Sequence, residues 1–199
     1  MKYNTSMINY SCIRCKRFVE DLYLCEDCYN ELLSELKLNV EVLDGHYVYR
    51  MFNYDRIIKE LIHMMKFKRQ RHISKFFSKL MHKSLIASDI HFDFISEIPM
   101  HRYKKMVRGY DQARDLALEL SKISKKEYIT TLKRNRWTKS LYKLGKKDRN
   151  SELKNLFNVL DYRENLLIVD DILTTGSTIS QAIIVLEEYG ENFSFITLV

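Results

Sequence analysis

Proline occurs once in this 199-residue chain and glycine only five times, so long flexible linkers between independent modules are not expected. The glycines, at 45, 109, 145, 176 and 190, are too scattered to build a G-x-x-x-x-G-K-[ST] loop or a G-x-G-x-x-G turn. That excludes ordinary P-loop ATPases and dinucleotide-binding dehydrogenases. No apolar run is long enough to span a bilayer, and no signal peptide is visible at the amino terminus. The expectation is a cytoplasmic protein with no membrane segment. There is no internal repeat and no low-complexity stretch. Acidic residues are missing from Lys66 to Lys83, and cysteine is missing beyond position 28.

What remains is a globular composition, 46% hydrophobic, with a formal net charge of +7. That balance points toward anionic partners. The length suits one ordinary domain with a small appendage, and the expected division is 1–38 and 39–199.

The most informative stretch is 166–178. Leu166, Leu167, Ile168 and Val169 run into Asp170 and Asp171, which reads as a buried parallel strand. Neighbouring side chains on a strand face opposite ways. Both aspartates can serve one site only if the second lies at or past the strand end, where ligands sit in open α/β sheets. Thr174, Thr175, Ser177 and Thr178 then offer hydroxyls and backbone N–H groups, and Gly176 permits close approach of the backbone. Thr178 and Gln181 form a capping box, so the spacing predicts a helix starting at Thr178, with Ile179, Ala182, Ile183 and Leu186 inward and Gly190 at its end. A helix start favours a phosphate, while the carboxylates suit sugar hydroxyls or Mg²⁺. A ligand carrying phosphate, ribose and metal satisfies the whole stretch. The Walker B strand of an ATPase has a similar profile, but it needs the glycine loop already excluded.

The four cysteines form two pairs, Cys12-x-x-Cys15 and Cys25-x-x-Cys28, nine residues apart. Such spacing fits the corners of a thiolate Zn²⁺ site, closed and structural, whose metal would fold a segment poor in apolar residues. Disulfides are the competing reading, disfavoured in the cytosol. A redox C-x-x-C would need only one pair.

Along the chain, Tyr29 to Leu38 reads as a short helix, His46 to Phe52 as a strand, and Asp55 to Phe67 as a helix with Ile57, Ile58, Leu61, Ile62 and Met65 on one side. Lys66, Lys68, Arg69, Arg71, Lys75 and Lys79 follow without an intervening acid. Such a run is either a solvated face or a surface for nucleic acid or another polyanion. Phe92 to Ile98 reads as a strand leading into a basic loop with Arg102, Lys104, Lys105, Arg108 and Gly109, then a helix carrying Ala113, Leu116, Ala117 and Leu120. Tyr128 to Leu132 reads as a strand. Lys133 to Arg149 holds eight basic residues and one acid, with Arg136, Trp137 and Tyr142 interleaved. That mixture suits stacking on bases or a hood over an anionic ligand. Phe193 to Val199 reads as a final strand.

The stretch 166–178 resembles the phosphoribosyl-pyrophosphate (PRPP) signature of type I phosphoribosyltransferases. The resemblance implies that the acidic pair holds ribose hydroxyls and that Thr174 to Thr178 hold the 5′-phosphate. Arg108, Gly109, Tyr110, Gln112 and Ala113 match a second loop of that family, which meets the pyrophosphate, with Asp111 in place of the usual Asn. In the basic segment Thr138, Leu144, Arg149 and Phe157 match the family pattern, whereas Leu141 and Glu152 replace a usual Gln and Asn. With the four-cysteine module, the whole chain resembles the ComF (ComFC) family. This implies an α/β fold with a mostly parallel sheet flanked by helices and a small zinc ribbon or knuckle. It also implies a role in natural transformation with single-stranded DNA, and a partner of the ATP-driven DNA translocase type.

Three functions compete on these grounds. One is a DNA-uptake protein that binds PRPP–Mg²⁺ and single-stranded DNA, with transferase chemistry open to it. The others are a nucleotide-salvage phosphoribosyltransferase acting on a free base and a non-catalytic PRPP sensor. For transfer, Asp171 is the expected catalytic residue, as acceptor of a proton from the incoming nucleophile.

Overall fold

The computed structural model describes residues 10–19, 24–34, 36, 38–67, 72–135 and 156–199. Its elements, in chain order, are β1 (Tyr10–Ser11), β2 (Phe18–Val19), α1 (Glu26–Ser34), β3 (Asn39–Leu43), β4 (His46–Arg50), α2 (Arg56–Phe67), α3 (His72–Ala87), β5 (Phe94–Glu97), α4 (Arg102–Arg108), α5 (Gln112–Ser124), β6 (Glu127–Tyr128), β7 (Leu132–Arg134), β8 (Phe157–Val159), β9 (Leu166–Asp170), α6 (Ser177–Leu186) and β10 (Phe193–Thr197).

The central sheet has six strands in the order β3-β4-β10-β9-β5-β6. Every neighbouring pair is parallel except the β3–β4 hairpin. This is the expected α/β architecture, with six helices among the described residues. β9 lies between β10 and β5, and its alternation sorts the core. Leu167 and Val169 join the apolar cluster under α2, α3 and α5. Leu166 and Ile168 join the cluster under α6 and the β7–β8 ribbon. Both faces of a parallel strand are therefore dry, which is why 166–169 is an unbroken apolar run.

The order of strands positions the site. From β5 the chain crosses to β6 on one side, and from β9 it crosses to β10 on the other. The crevice beyond the carboxyl ends of β5 and β9 is thus a topological switch point, where open α/β sheets place ligands.

Local structure departs from the sequence reading in several places. α1 starts at Glu26 rather than Tyr29, with Glu26 and Asp27 in its first turn, where acids complement the helix dipole. β3 was not expected. Its hairpin turns on Asp44 and Gly45, with φ of 48° and 87°, the left-handed pair of a type I′ turn. The basic loop after β5 holds a short helix, α4, capped by the His101 side chain accepting from Tyr103 N–H and closed by Gly109 at φ 81°. The strand expected at Tyr128 to Leu132 is two strands, β6 and β7, with a break between them.

The apolar cluster beneath α2, α3 and α5 also contains Cys12, Ile13, Val19, Leu24, Cys28 and Leu32. Tyr29 meets Phe76 of α3 with ring centroids 6.0 Å apart. One continuous core therefore runs across the position of the expected 1–38 division. Among the described residues no helix is long and apolar enough to cross a membrane.

Candidate functional site

β5 and β9 run side by side, and Ile98 N–H donates to the Val169 carbonyl at 2.9 Å just past the end of β5. The chains diverge there around a cleft of about 210 Å³. Its floor holds Asp170 and Asp171 with Thr174 and Thr178. Its rim holds Lys66, Lys104, Arg108 and Arg134.

Asp170 is the last residue of β9 and Asp171 the first beyond it, which lets both face one cleft. Asp171 N–H donates to Asp170 Oδ1 at 2.8 Å, and Lys66 Nζ lies 2.7 Å from Asp171 Oδ2. Burial, with the neighbouring Asp171 charge, pushes the Asp170 carboxyl up to about 8. A cation or hydroxyl donors entering the cleft would relieve that penalty.

The loop after β9 reverses at Gly176, whose φ is 72°. A Cβ there would come within 3.0 Å of Leu43 Cδ2. Gly176 is also the N-cap of α6, and no side chain caps this end. The helix begins at Ser177 and not at a Thr178 capping box, because the left-handed glycine already turns the chain into it. Thr178 faces the cleft instead, and the first N–H donors of α6 have no side-chain cap to compete with an anion. Thr175 and Ser177 exchange a 2.8 Å hydroxyl contact and, with Gly176, shape the loop while Thr174 and Thr178 line the cleft.

On the opposite wall Arg108 Nη1 donates to Gln112 Oε1 at 3.0 Å, and Gln112 is fully buried. Gly109 contributes its turn and donates its N–H to the Lys105 carbonyl at 2.7 Å. Asp111 ties both ends of this segment: Oδ2 accepts from Met100 N–H at 3.1 Å and Oδ1 from Arg114 N–H at 3.3 Å. An aspartate thus serves where the resembled family has an amide, since only acceptors are needed. Loss of solvent in the cleft, then the charges of Arg134 and Arg108, lower the Lys104 ammonium.

Of the basic residues singled out from sequence, Lys66 and Lys104 line the cleft. Lys75 and Lys79 are exposed on α3, and Arg102 and Lys105 are exposed on α4. Lys68, Arg69, Arg71, Arg136 and Trp137 lie outside the described residues. Asp111 and Arg134 are cleft residues the sequence reading did not select. β7 pairs Arg134 with Phe157, and strand alternation was the available signal for which basic residue turns inward.

The other cluster is Cys12, Cys15, Cys25 and Cys28. All four thiols are free, and their Sγ atoms lie within 4.8 Å of one another. A tetrahedral Zn²⁺ with ~2.3 Å bonds needs sulfurs ~3.8 Å apart, so the arrangement fits a metal ion such as zinc. Its ionisation fits as well. Burial acts to raise Cys12, but backbone N–H groups of Cys15 and Cys25 outweigh it and bring it down to about 6. Burial and the neighbouring sulfurs push Cys28 up to about 12. Four thiolates this close need a cation between them.

No family model matches the chain. It is 29% identical over 180 residues to competence protein F of Haemophilus influenzae, an overlap of 84% of this chain and 75% of that protein. It is 28% identical over 141 residues to the DNA utilization protein YhgH of Escherichia coli, covering 65% of this chain and 60% of that one. The chain therefore spans less than two thirds of the Escherichia coli relative. At that identity and coverage the chain is a homologue of competence protein F.

Proposed function

We propose that the chain acts in DNA uptake, holding PRPP with Mg²⁺ in the cleft and single-stranded DNA on its basic surfaces. The observation that carries this is the meeting of Asp170, Asp171, Thr174 and Thr178 with four cationic side chains at the sheet's switch point. The acids accept ribose hydroxyls, the threonine loop and the start of α6 take the 5′-phosphate, and Arg108, Lys104 and Arg134 meet the pyrophosphate. Mg²⁺ would supply countercharge to the pyrophosphate.

In a transfer reaction the ribose C1–O bond to pyrophosphate breaks as a bond from the nucleophile forms. Positive charge grows on the ring, and the adjacent carboxylates stabilise it. Asp171 takes the nucleophile's proton. A second reading, a PRPP-binding module without turnover, is favoured by one contact: Lys66 Nζ already occupies Asp171 Oδ2, an oxygen that would have to take the proton.

Calorimetric titration with PRPP and Mg²⁺ tests the cleft. Heat is expected for the native chain and none for Asp170→Asn with Asp171→Asn. Pyrophosphate release with candidate acceptors separates enzyme from module. Binding to a single-stranded oligonucleotide should weaken steeply with salt, and no binding at low salt would hand the argument to nucleotide salvage.

A further inference from the structure

Next to the cleft, on the far side of Lys66 and Arg108, lies a second groove of about 480 Å³. It is lined by rings that neither the sequence reading nor the PRPP site uses: Tyr54, His63 and Phe67. Phe67 is 60% exposed and Tyr54 57%. His63 lies against Phe67 with ring centroids 4.8 Å apart. The Arg108 guanidinium sits 5.4 Å from the Phe67 ring centre, and Arg108, Lys66 and Ile172 line both groove and cleft.

The pattern along α2 accounts for the groove. Ile58, Leu61, Ile62 and Met65 are buried, which turns Arg56, Lys59, His63 and Phe67, at i, i+3, i+7 and i+11, to the other face. Eleven residues at ~1.5 Å place these groups along roughly 16 Å of helix. Cations stand at both ends, Arg56 and Lys59 far from the cleft and Lys66 and Arg108 beside it, with His63 between them, Tyr54 and Phe67 flanking them, and Glu60 as the one acid among the described residues of the lining. A free base would use the rings and leave the distant cations idle. A strand uses both, since its bases have π-faces and its phosphates recur along its length.

We propose that this groove stacks bases of single-stranded DNA on Phe67 at one end and Tyr54 at the other, with the backbone running from Arg56 and Lys59 toward the cleft. The inference rests on the strand-binding reading above and assigns that strand a path.

The test uses the full chain and an oligodeoxynucleotide containing 2-aminopurine, whose fluorescence falls on stacking. At low salt the native chain should quench it. Phe67→Ala and Tyr54→Ala should each lose most of the quenching and weaken binding roughly tenfold, and Phe67→Trp should restore both. Arg56→Gln with Lys59→Gln should keep the quenching but lower the slope of log affinity against log salt by about 1.4. Thermal melts and circular dichroism confirm that these variants fold. Native-like binding and quenching by both alanine variants overturns the inference while the strand-binding reading stands. Free adenine displacing the strand from the native chain but not from Phe67→Ala, with an unchanged salt slope in the double variant, overturns it in favour of a small-molecule site. An oligonucleotide that fails to bind the native chain removes both readings together.

Discussion

Lys66 Nζ lies 2.7 Å from Asp171 Oδ2, with the side chains only 13% and 14% exposed. A residue on the last turn of α2 thereby neutralises one of two adjacent acids at the tip of β9. Lys66→Ala should lower stability by about 2–3 kcal/mol, less than a fully buried pair because the cleft is open on one side. Adding Asp171→Asn should recover part of that loss, as a urea double-mutant cycle would read it.

Asp170 sets the pH behaviour. Burial raises its carboxyl to about 8, above its unfolded value near 3.9. The folded chain therefore holds this proton between about pH 4 and 8, and the associated stability is lost as pH rises through 8. A ligand whose hydroxyls need the ionised carboxylate must expel the proton. PRPP affinity should rise with pH up to about 8, with proton release visible as a buffer-dependent heat. Asp170→Asn should abolish both.

Gly176 has a φ of 72° and Leu43 beneath it. Gly176→Ala should cost about 1–2 kcal/mol for the left-handed backbone alone and weaken PRPP binding by tilting the first turn of α6. Leu43→Ala added to it should relieve the contact but not the backbone term, so a denaturant melt should show partial recovery only.

Metal removal should reach beyond the cysteines. Because Cys12 and Cys28 share an apolar cluster with α2 and α3, a chelator should lower the thermal midpoint by more than about 5 °C and weaken PRPP binding through Lys66 on α2. A colorimetric assay should release about one metal ion per chain, and Cys12→Ser should reproduce the chelated state.

Most of the cleft was legible because its signals are local. The apolar run of β9, the acid pair and the threonine loop are contiguous, and each follows from strand, turn or helix chemistry alone. What escaped was long-range or depended on side-chain direction. Lys66 looked like one of a run of exposed cations, and only the return of α2 over the cleft shows it beside Asp171. Arg134 needed the register of β7 to be told from its neighbours, and Asp111, read only as a replacement for Asn, needed its two backbone hydrogen bonds to be placed. The Asp44-Gly45 hairpin is a local signal that was passed over. The start of α6 was misplaced because a glycine in the left-handed region outranked a plausible Thr178 cap.

The strand order carries a kinetic consequence. β10 sits between β4 and β9, yet follows β4 in the chain by more than a hundred residues. The β3–β4 hairpin therefore emerges from the ribosome long before its parallel neighbour is made, and it waits with the β4 edge unpaired. Closure through such distant contacts is slow, and the waiting hairpin is prone to pair with another chain. Yield in the cell should thus depend on chaperone supply during synthesis more than on the stability of the finished fold.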